Sequence, residues 1–223
     1  MRIINATPNH RSYRPDLLIR GKDFICDDGK NRLDLTVGAG SPVISTDQHY
    51  FGNNSLYLNG TSWLRITDAS SLSFGTGDFT ADWWARFTAF GSYNTLIGTS
   101  TVGYALIHLW KTSSSTASLK LGRSDVGYQS TCAFSSTNFI DSNWHHLAIT
   151  RASGVVYMFI DGVAQTVTGS ANTTSYTFSA STTCIGSQNG TNQWYAGYLQ
   201  NIRILNDVCL WTSNFTPPQQ ADI

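Results

Sequence analysis

The chain has 223 residues, of which 41% are hydrophobic, 13% aromatic and only 13% charged. Fourteen basic and fourteen acidic residues balance to a formal charge of zero, with no basic stripe or polybasic run. That balance excludes the electrostatic footprint of a nucleic-acid binder or of a protein drawn to an anionic membrane. The shortage of charge also argues against long solvent-exposed helices, whose outer faces carry it.

Residues 1–16 are polar, broken by Pro8 and Pro15 and without periodicity, and we read them as an N-terminal arm. Arg11 and Arg14 lie in it and Arg20 just beyond, a candidate set of assembly contacts. The start lacks the apolar core of a secretory signal, so the expectation is a product made in a reducing cytoplasm. No stretch approaches the roughly 20 apolar residues that cross a bilayer. From Leu17 to the end the spacing predicts one domain of short strands cut by turn residues.

SLYLNGTSWLRI (55–66) predicts two strands around Asn59-Gly60, a favoured hairpin pair. FTADWWARF (79–87) alternates cleanly. Phe79, Ala81, Trp83, Ala85 and Phe87 share one face, and Thr80, Asp82, Trp84 and Arg86 the other, where the charges mark the solvated side. TLIGTS, YALIHLWK and SLKLGR read as further strands. WHHLAITRASGVVYMFIDGV (144–163) is the strongest hairpin, with Ser153-Gly154 at its turn and Asp161-Gly162 closing it. TTCIGSQ and YLQNIRIL (198–205) add two strands, and a short helix fits only near 68–72 or 205–213. Cys26, Cys132, Cys184 and Cys209 lack C-x-x-C spacing, which speaks for buried free thiols rather than zinc.

Four segments together resemble a known family: FGNNSLYLNGTSWLRI, FGTGDFTADWWARF, NWHHLAITRASGVVYMFIDGV and YAGYLQNIRILNDVCLWTSNFTPP. They are similar to laminin-G-like, concanavalin-type modules, and the closing segment resembles the versions in phage virion proteins. The resemblance implies an all-β, antiparallel two-sheet sandwich, a jelly roll, over residues 17–223.

The same sandwich hosts glucanases, which resemble one another in a pair of glutamates on one strand. All fourteen acids here are Asp, so that pair is absent. The nearest substitute, Asp78 with Asp82, reads as a turn residue and a solvated strand residue beside Arg86. The expectation is therefore a non-enzymatic protein, and two readings follow. One, implied by the phage-like segment, is a capsid decoration protein on the virion surface. It would be a trimer gripping the major capsid protein or another virion protein through the arm. The other is a lectin-like module binding glycans, with Tyr93, His108, Trp110, Trp194 and Tyr195 as candidate contacts, because aromatic faces stack on sugars. For each of these residues, core packing is the competing reading. No cofactor is indicated. Asp125, Asp141 or Asp207 are conceivable calcium ligands on this fold, but no dense oxygen-ligand loop surrounds them.

Overall fold

The computed structural model describes residues 14–21, 25–89, 93–99, 104–111, 117–122, 130–136, 139–169, 183–188, 190–191 and 193–219. Among the described residues, sixteen strands form two antiparallel sheets. Sheet I runs β13 (Val163–Ala164), β12 (Val155–Ile160), β11 (His145–Ala152), β6 (Phe79–Phe87), β16 (Ala196–Asn206), β4 (Ser55–Asn59) and β3 (Val43–Ser45). β1 (Leu17–Ile19) also pairs with β16, beside its second half. Sheet II runs β14 (Thr168–Gly169), β10 (Ser130–Ser136), β9 (Ala117–Gly122), β8 (Tyr104–Lys111), β7 (Tyr93–Thr99), β15 (Thr183–Ile185), β5 (Trp63–Ile66) and β2 (Leu35–Ala39). The expected sandwich is present, and among the described residues a 3-10 turn (Ala69–Leu72) occupies one of the two places where a short helix fits.

The main core lies between the sheets. Phe79, Ala81, Trp83, Ala85 and Phe87 of β6 belong to one apolar cluster with Leu64, Ile66, Leu96, Ile107, Leu109, Leu119, Leu121 and Ile185 of sheet II. The β11–β12 hairpin forms as expected: Ser153 and Gly154 both take positive φ (50° and 84°), the conformation of a tight two-residue turn. Asn59-Gly60 behaves differently. β4 pairs with β3 and β16 in sheet I, whereas β5 pairs with β2 and β15 in sheet II. The segment is a corner between sheets rather than a hairpin. Leu56 and Leu58 enter the core from one sheet, and Leu64 and Ile66 from the other.

The second face of β6 also departs from expectation. Thr80, Asp82 and Trp84 are buried and only Arg86 is half-exposed. A strap of chain, residues 207–218, lies across the outer side of sheet I and builds a smaller core there. Leu210, Trp211 and Phe215 pack with Ala148, Phe159 and Leu205, and the Trp211 and Phe215 rings stack at 3.8 Å. Thr80 and Thr150, cross-strand partners, secure it. Thr80 Oγ1 donates to the Val208 carbonyl and accepts from Leu210 N–H, while Thr150 Oγ1 donates to the Trp211 carbonyl. The strap passes so close to Gly162 that a Cβ there would overlap the Phe215 carbonyl.

Under the strap Asp82 is 1% exposed. Arg203 Nε and Nη2 reach its two oxygens at 2.8 and 3.0 Å, and His146 Nε2 donates to Oδ2 at 3.0 Å. Burial alone would raise this carboxyl, but Arg203 and His146 outweigh it and hold the group below its usual range. Asp82 is thus an ion-paired anchor beneath a lid, not a solvated residue beside Arg86. Asp78 also has structural partners: its side chain accepts the Ser153 N–H and its carbonyl the Asp207 N–H.

Near the N-terminus, Asp16 is buried, accepting the Asn206 N–H and pairing with Lys30 at 2.8 Å. The polar segment therefore joins the sandwich at Pro15–Asp16. Arg20 is likewise part of the fold, 3.5 Å from Asp28, which removes it from a free arm. Arg14 is exposed, and Arg11 and the rest of 1–13 lie outside the described residues. Cys26, Cys184 and Cys209 are free thiols, and burial pushes Cys184 up to about 12. The Cys132 side chain lies outside the described residues.

At the start of β11, His145 Nδ1 lies 2.7 Å from Asp161 and Nε2 2.9 Å from Asp141. Two carboxylates on opposite ring nitrogens are both satisfied only by the imidazolium. Burial disfavours that charge, but the bonds to Asp161 and Asp141 outweigh it and raise His145 above 6.5. For Asp141 slight burial opposes, while the bonds from His145 and Asn143 bring it down to about 2.

Two predictions follow from these contacts. Asp82→Asn leaves Arg203 buried with half a partner, and urea unfolding should show a loss of about 3–5 kcal/mol. Asp82→Leu combined with Arg203→Met should lose less than either single change; a loss under about 1 kcal/mol for the single variants would refute the anchor. For His145, the folded state holds the proton more tightly than the unfolded one, so its contribution is complete below 6.5 and fades as pH rises through the raised folded value. Asp141 contributes above 3.8 and loses its share as pH falls toward about 2. The melting temperature should therefore decline on the alkaline side of pH 6.5, and His145→Gln should flatten that decline. Its half-exposed partners keep the effect small.

Candidate functional site

Sheet I carries two covers on its outer side, the strap and a loop at residues 46–54. Gln200, buried on β16, holds that loop: its Oε1 accepts the N–H groups of Tyr50 and Phe51, and its Nε2 donates to the carbonyls of Phe51 and Asn54. The loop lays the Tyr50 ring flat on Trp84, centroids 3.7 Å apart and 18° from parallel. Tyr50 itself remains 43% exposed.

One row of side chains stays outside both covers. Val43, Tyr57, Tyr198 and Arg86 are consecutive cross-strand partners on β3, β4, β16 and β6, and therefore point to the same side. His145 pairs with Ala85, so Trp144, one residue earlier, continues the row beyond Arg86. From Tyr57 to Trp144 the row crosses three strand spacings, about 14 Å. The rings are graded in exposure: Tyr57 and Trp144 half-buried, Tyr198 buried with its face against Tyr57 at 4.8 Å. Tyr50 closes the row's inner side, 6.5 Å from Trp144. The Trp144 Nε1 atom is buried, so carbon is what this indole turns outward. The Arg86 guanidinium lies 6.0 Å from the Tyr198 ring and has no ion-pair partner among the described residues. The result is a carbon-faced strip with one cation in it, a surface suited to stacking on flat apolar faces while bonding to polar groups around them.

The contacts expected from sequence are not brought together. Tyr195 is fully buried in the main core, its hydroxyl donating to the Tyr198 carbonyl, which rules it out as a surface ring. His108 is 5% exposed, paired in register with Thr95 and Lys120 in sheet II. Only the backbones of Tyr93 and Trp110 are described, on β7 and β8. Trp194 is half-buried beside sheet II, next to Gln193, whose carbonyl accepts the Thr95 N–H. Sequence reasoning missed Trp144, Tyr57 and Arg86; the one available signal was that Arg86 ends a strand face otherwise ending in Trp84. Of the conceivable calcium ligands, Asp141 is bound to His145, Asp207 is exposed beside Gly77, and Asp125 lies outside the described residues. No cluster of three metal-binding side chains occurs among the described residues.

Comparison with known proteins gives two kinds of likeness. Solved structures share the fold. Domain 4 of AbnA, a GH43 extracellular arabinanase from Geobacillus stearothermophilus, in complex with arabinotriose, is 17% identical, with a TM-score of 0.61 over 86% of this chain and 92% of that one. The ligand binding domain of botulinum neurotoxin serotype D, in complex with N-acetylneuraminic acid, is 12% identical, with a TM-score of 0.63 over 93% of this chain and 50% of that one. The binding domain of Paraclostridial Mosquitocidal Protein 1 is 18% identical, with a TM-score of 0.59 over 86% and 49%. The chain thus spans about half of the toxin domains and nearly all of the arabinanase domain. No curated protein sequence matches it. A laminin G family model matches residues 43–212, from β3 through the first half of the strap, and on that match the chain belongs to the concanavalin A-like lectin/glucanases superfamily.

Proposed function

We propose that this chain is a non-enzymatic, lectin-like module that binds carbohydrate on the outer face of sheet I. The observation that carries the reading is the strip of Tyr57, Tyr198 and Trp144 bordered by Tyr50 of the loop, with Tyr50 exposed, Tyr57 and Trp144 half-buried and Tyr198 buried among them. Pyranose and furanose rings have apolar faces that stack on such carbon, and their hydroxyls need the polar groups that border it. The likeness to a domain crystallised with arabinotriose, matched over 92% of its length, supports the same reading. So does the toxin domain bound to N-acetylneuraminic acid, although the chain covers half of it. Asp78 and Asp82, the sequence's nearest substitute for a glutamate pair, are both engaged in holding the fold, which supports binding without hydrolysis. The capsid-decoration reading, with its trimer and its arm, rests on the closing segment. Asn214 and Phe215 of that segment serve the sandwich itself, by bonding to Ala164 and Gly162.

The test is titration calorimetry of the purified protein against arabinotriose and a panel of oligosaccharides. Trp144→Ala should weaken the best ligand roughly tenfold, about 1.4 kcal/mol, without lowering the melting temperature by more than a few degrees. Trp194→Ala, beside the other sheet, should leave affinity unchanged. The opposite pattern would move the site to sheet II, and a panel with no binder would end the carbohydrate reading.

A further inference from the structure

We propose that the strip selects an acidic sugar, with the Arg86 guanidinium receiving the carboxylate of a uronic or sialic acid unit; this rests on the carbohydrate reading above. The inference starts from how the other cations near the sandwich are used. Arg203 is locked on Asp82, Arg151 donates to the carbonyls of Gly75 and Gly77, and Lys30, Arg20 and Arg32 face Asp16 and Asp28. Arg86 has no such assignment among the described residues; exposed Arg65 has none either, but its guanidinium lies over the Trp63 ring on sheet II, away from the strip. It is half-buried at the centre of the strip, with Tyr198 beside it and Trp144 beyond. A cation resting near an aromatic face keeps its planar fork of N–H donors free, and that fork matches a carboxylate in two parallel bonds. Partial burial strengthens such a pair compared with one in open water.

Acidic side chains flank the strip, and none of them reaches Arg86 as an ion-pair partner among the described residues. Asp47, exposed just after β3, is an acidic neighbour felt at the Tyr198 hydroxyl. At the Trp144 end, Asp141 and Asp161 share the His145 imidazolium between them. Each of these neighbourhoods carries a net negative charge, so Arg86 itself holds the carboxylate, and the sugar ring that bears it lies against the outward carbon of the Trp144 indole.

The test compares matched ligands by calorimetry: sialyllactose against lactose, and the trimer of galacturonic acid against the trimer of galactose. The first pair reports a sialic acid, the second a uronic acid. In one pair the acidic member should bind about tenfold tighter, as expected for hydrogen bonds between charged groups. That advantage should shrink as salt rises from about 0.05 to about 0.5 M. Arg86→Gln should abolish the difference, costing the acidic member far more affinity than the neutral one, and Arg86→Lys should restore part of it. An acidic preference that survives Arg86→Gln, or equal binding of both members by the unaltered protein, would overturn the carboxylate assignment and leave the carbohydrate reading standing. Binding of neither member of either pair, nor of arabinotriose, would count against the carbohydrate reading itself.

Discussion

A carboxylate with 1% of its surface exposed can stay ionised only if its surroundings replace the water it has lost, and Asp82 imposes that demand on the whole outer side of sheet I. Its partners come from two neighbouring strands, Arg203 from β16 and His146 from β11, with Asp82 on β6 between them. A slip of one residue in either pairing would turn Asp82 into the apolar space between the sheets, so the network fixes the register of the three central strands. It also needs a roof. The strap provides one: Trp211 lies 5.7 Å from the Arg203 guanidinium, and Trp211 and Phe215 meet the edge of the His146 ring.

The same arrangement depends on a bulge in β16. Gln200 faces Trp84 and Arg203 faces Asp82, although a spacing of three would put them on opposite sides of a regular strand. The register shift between them, with Asn201 at a φ of 50°, brings both to the outer face. Gln200 then anchors the loop that carries Tyr50, and Arg203 anchors the network beneath the strap. One irregularity thus supplies the attachment points of both covers.

What the covers leave open defines the candidate site. The strap protects the rows of Asp82 and Thr80, and the loop protects the row of Trp84. The next row, Val43–Tyr57–Tyr198–Arg86–Trp144, lies beyond both. Tyr57 and Tyr198 sit on paired strands and Trp144 directly precedes β11, so the hydrogen-bonded ladder sets the spacing of the first two and the placement of the third follows from where β11 begins. A binding surface built this way is largely preformed, which limits the entropy lost when a ligand binds.

Period-2 alternation in FTADWWARF, the turn pairs Ser153-Gly154 and Asp161-Gly162, and the absence of any helical stripe were enough to determine a domain of short strands and its strongest hairpin, because these are local signals read over a few residues, while the two-sheet sandwich was what the family resemblance implied. The missing glutamates, equally visible, removed the glucanase pair. Three things were decided only in three dimensions. Asn59-Gly60 became a corner because two apolar runs had to enter one core from opposite sheets, and no local preference encodes that. Charge on the second face of β6 suggested water, but Asp82 found its partners 64 and 121 residues away and a strap to cover it. Tyr195, which looked exposed by its polar neighbours, went to the core, while Tyr57, Arg86 and Trp144, distant in sequence, were brought into one row by strand pairing. Which ring meets solvent depends on what the rest of the chain lays over it, and that is a property of packing rather than of any one segment.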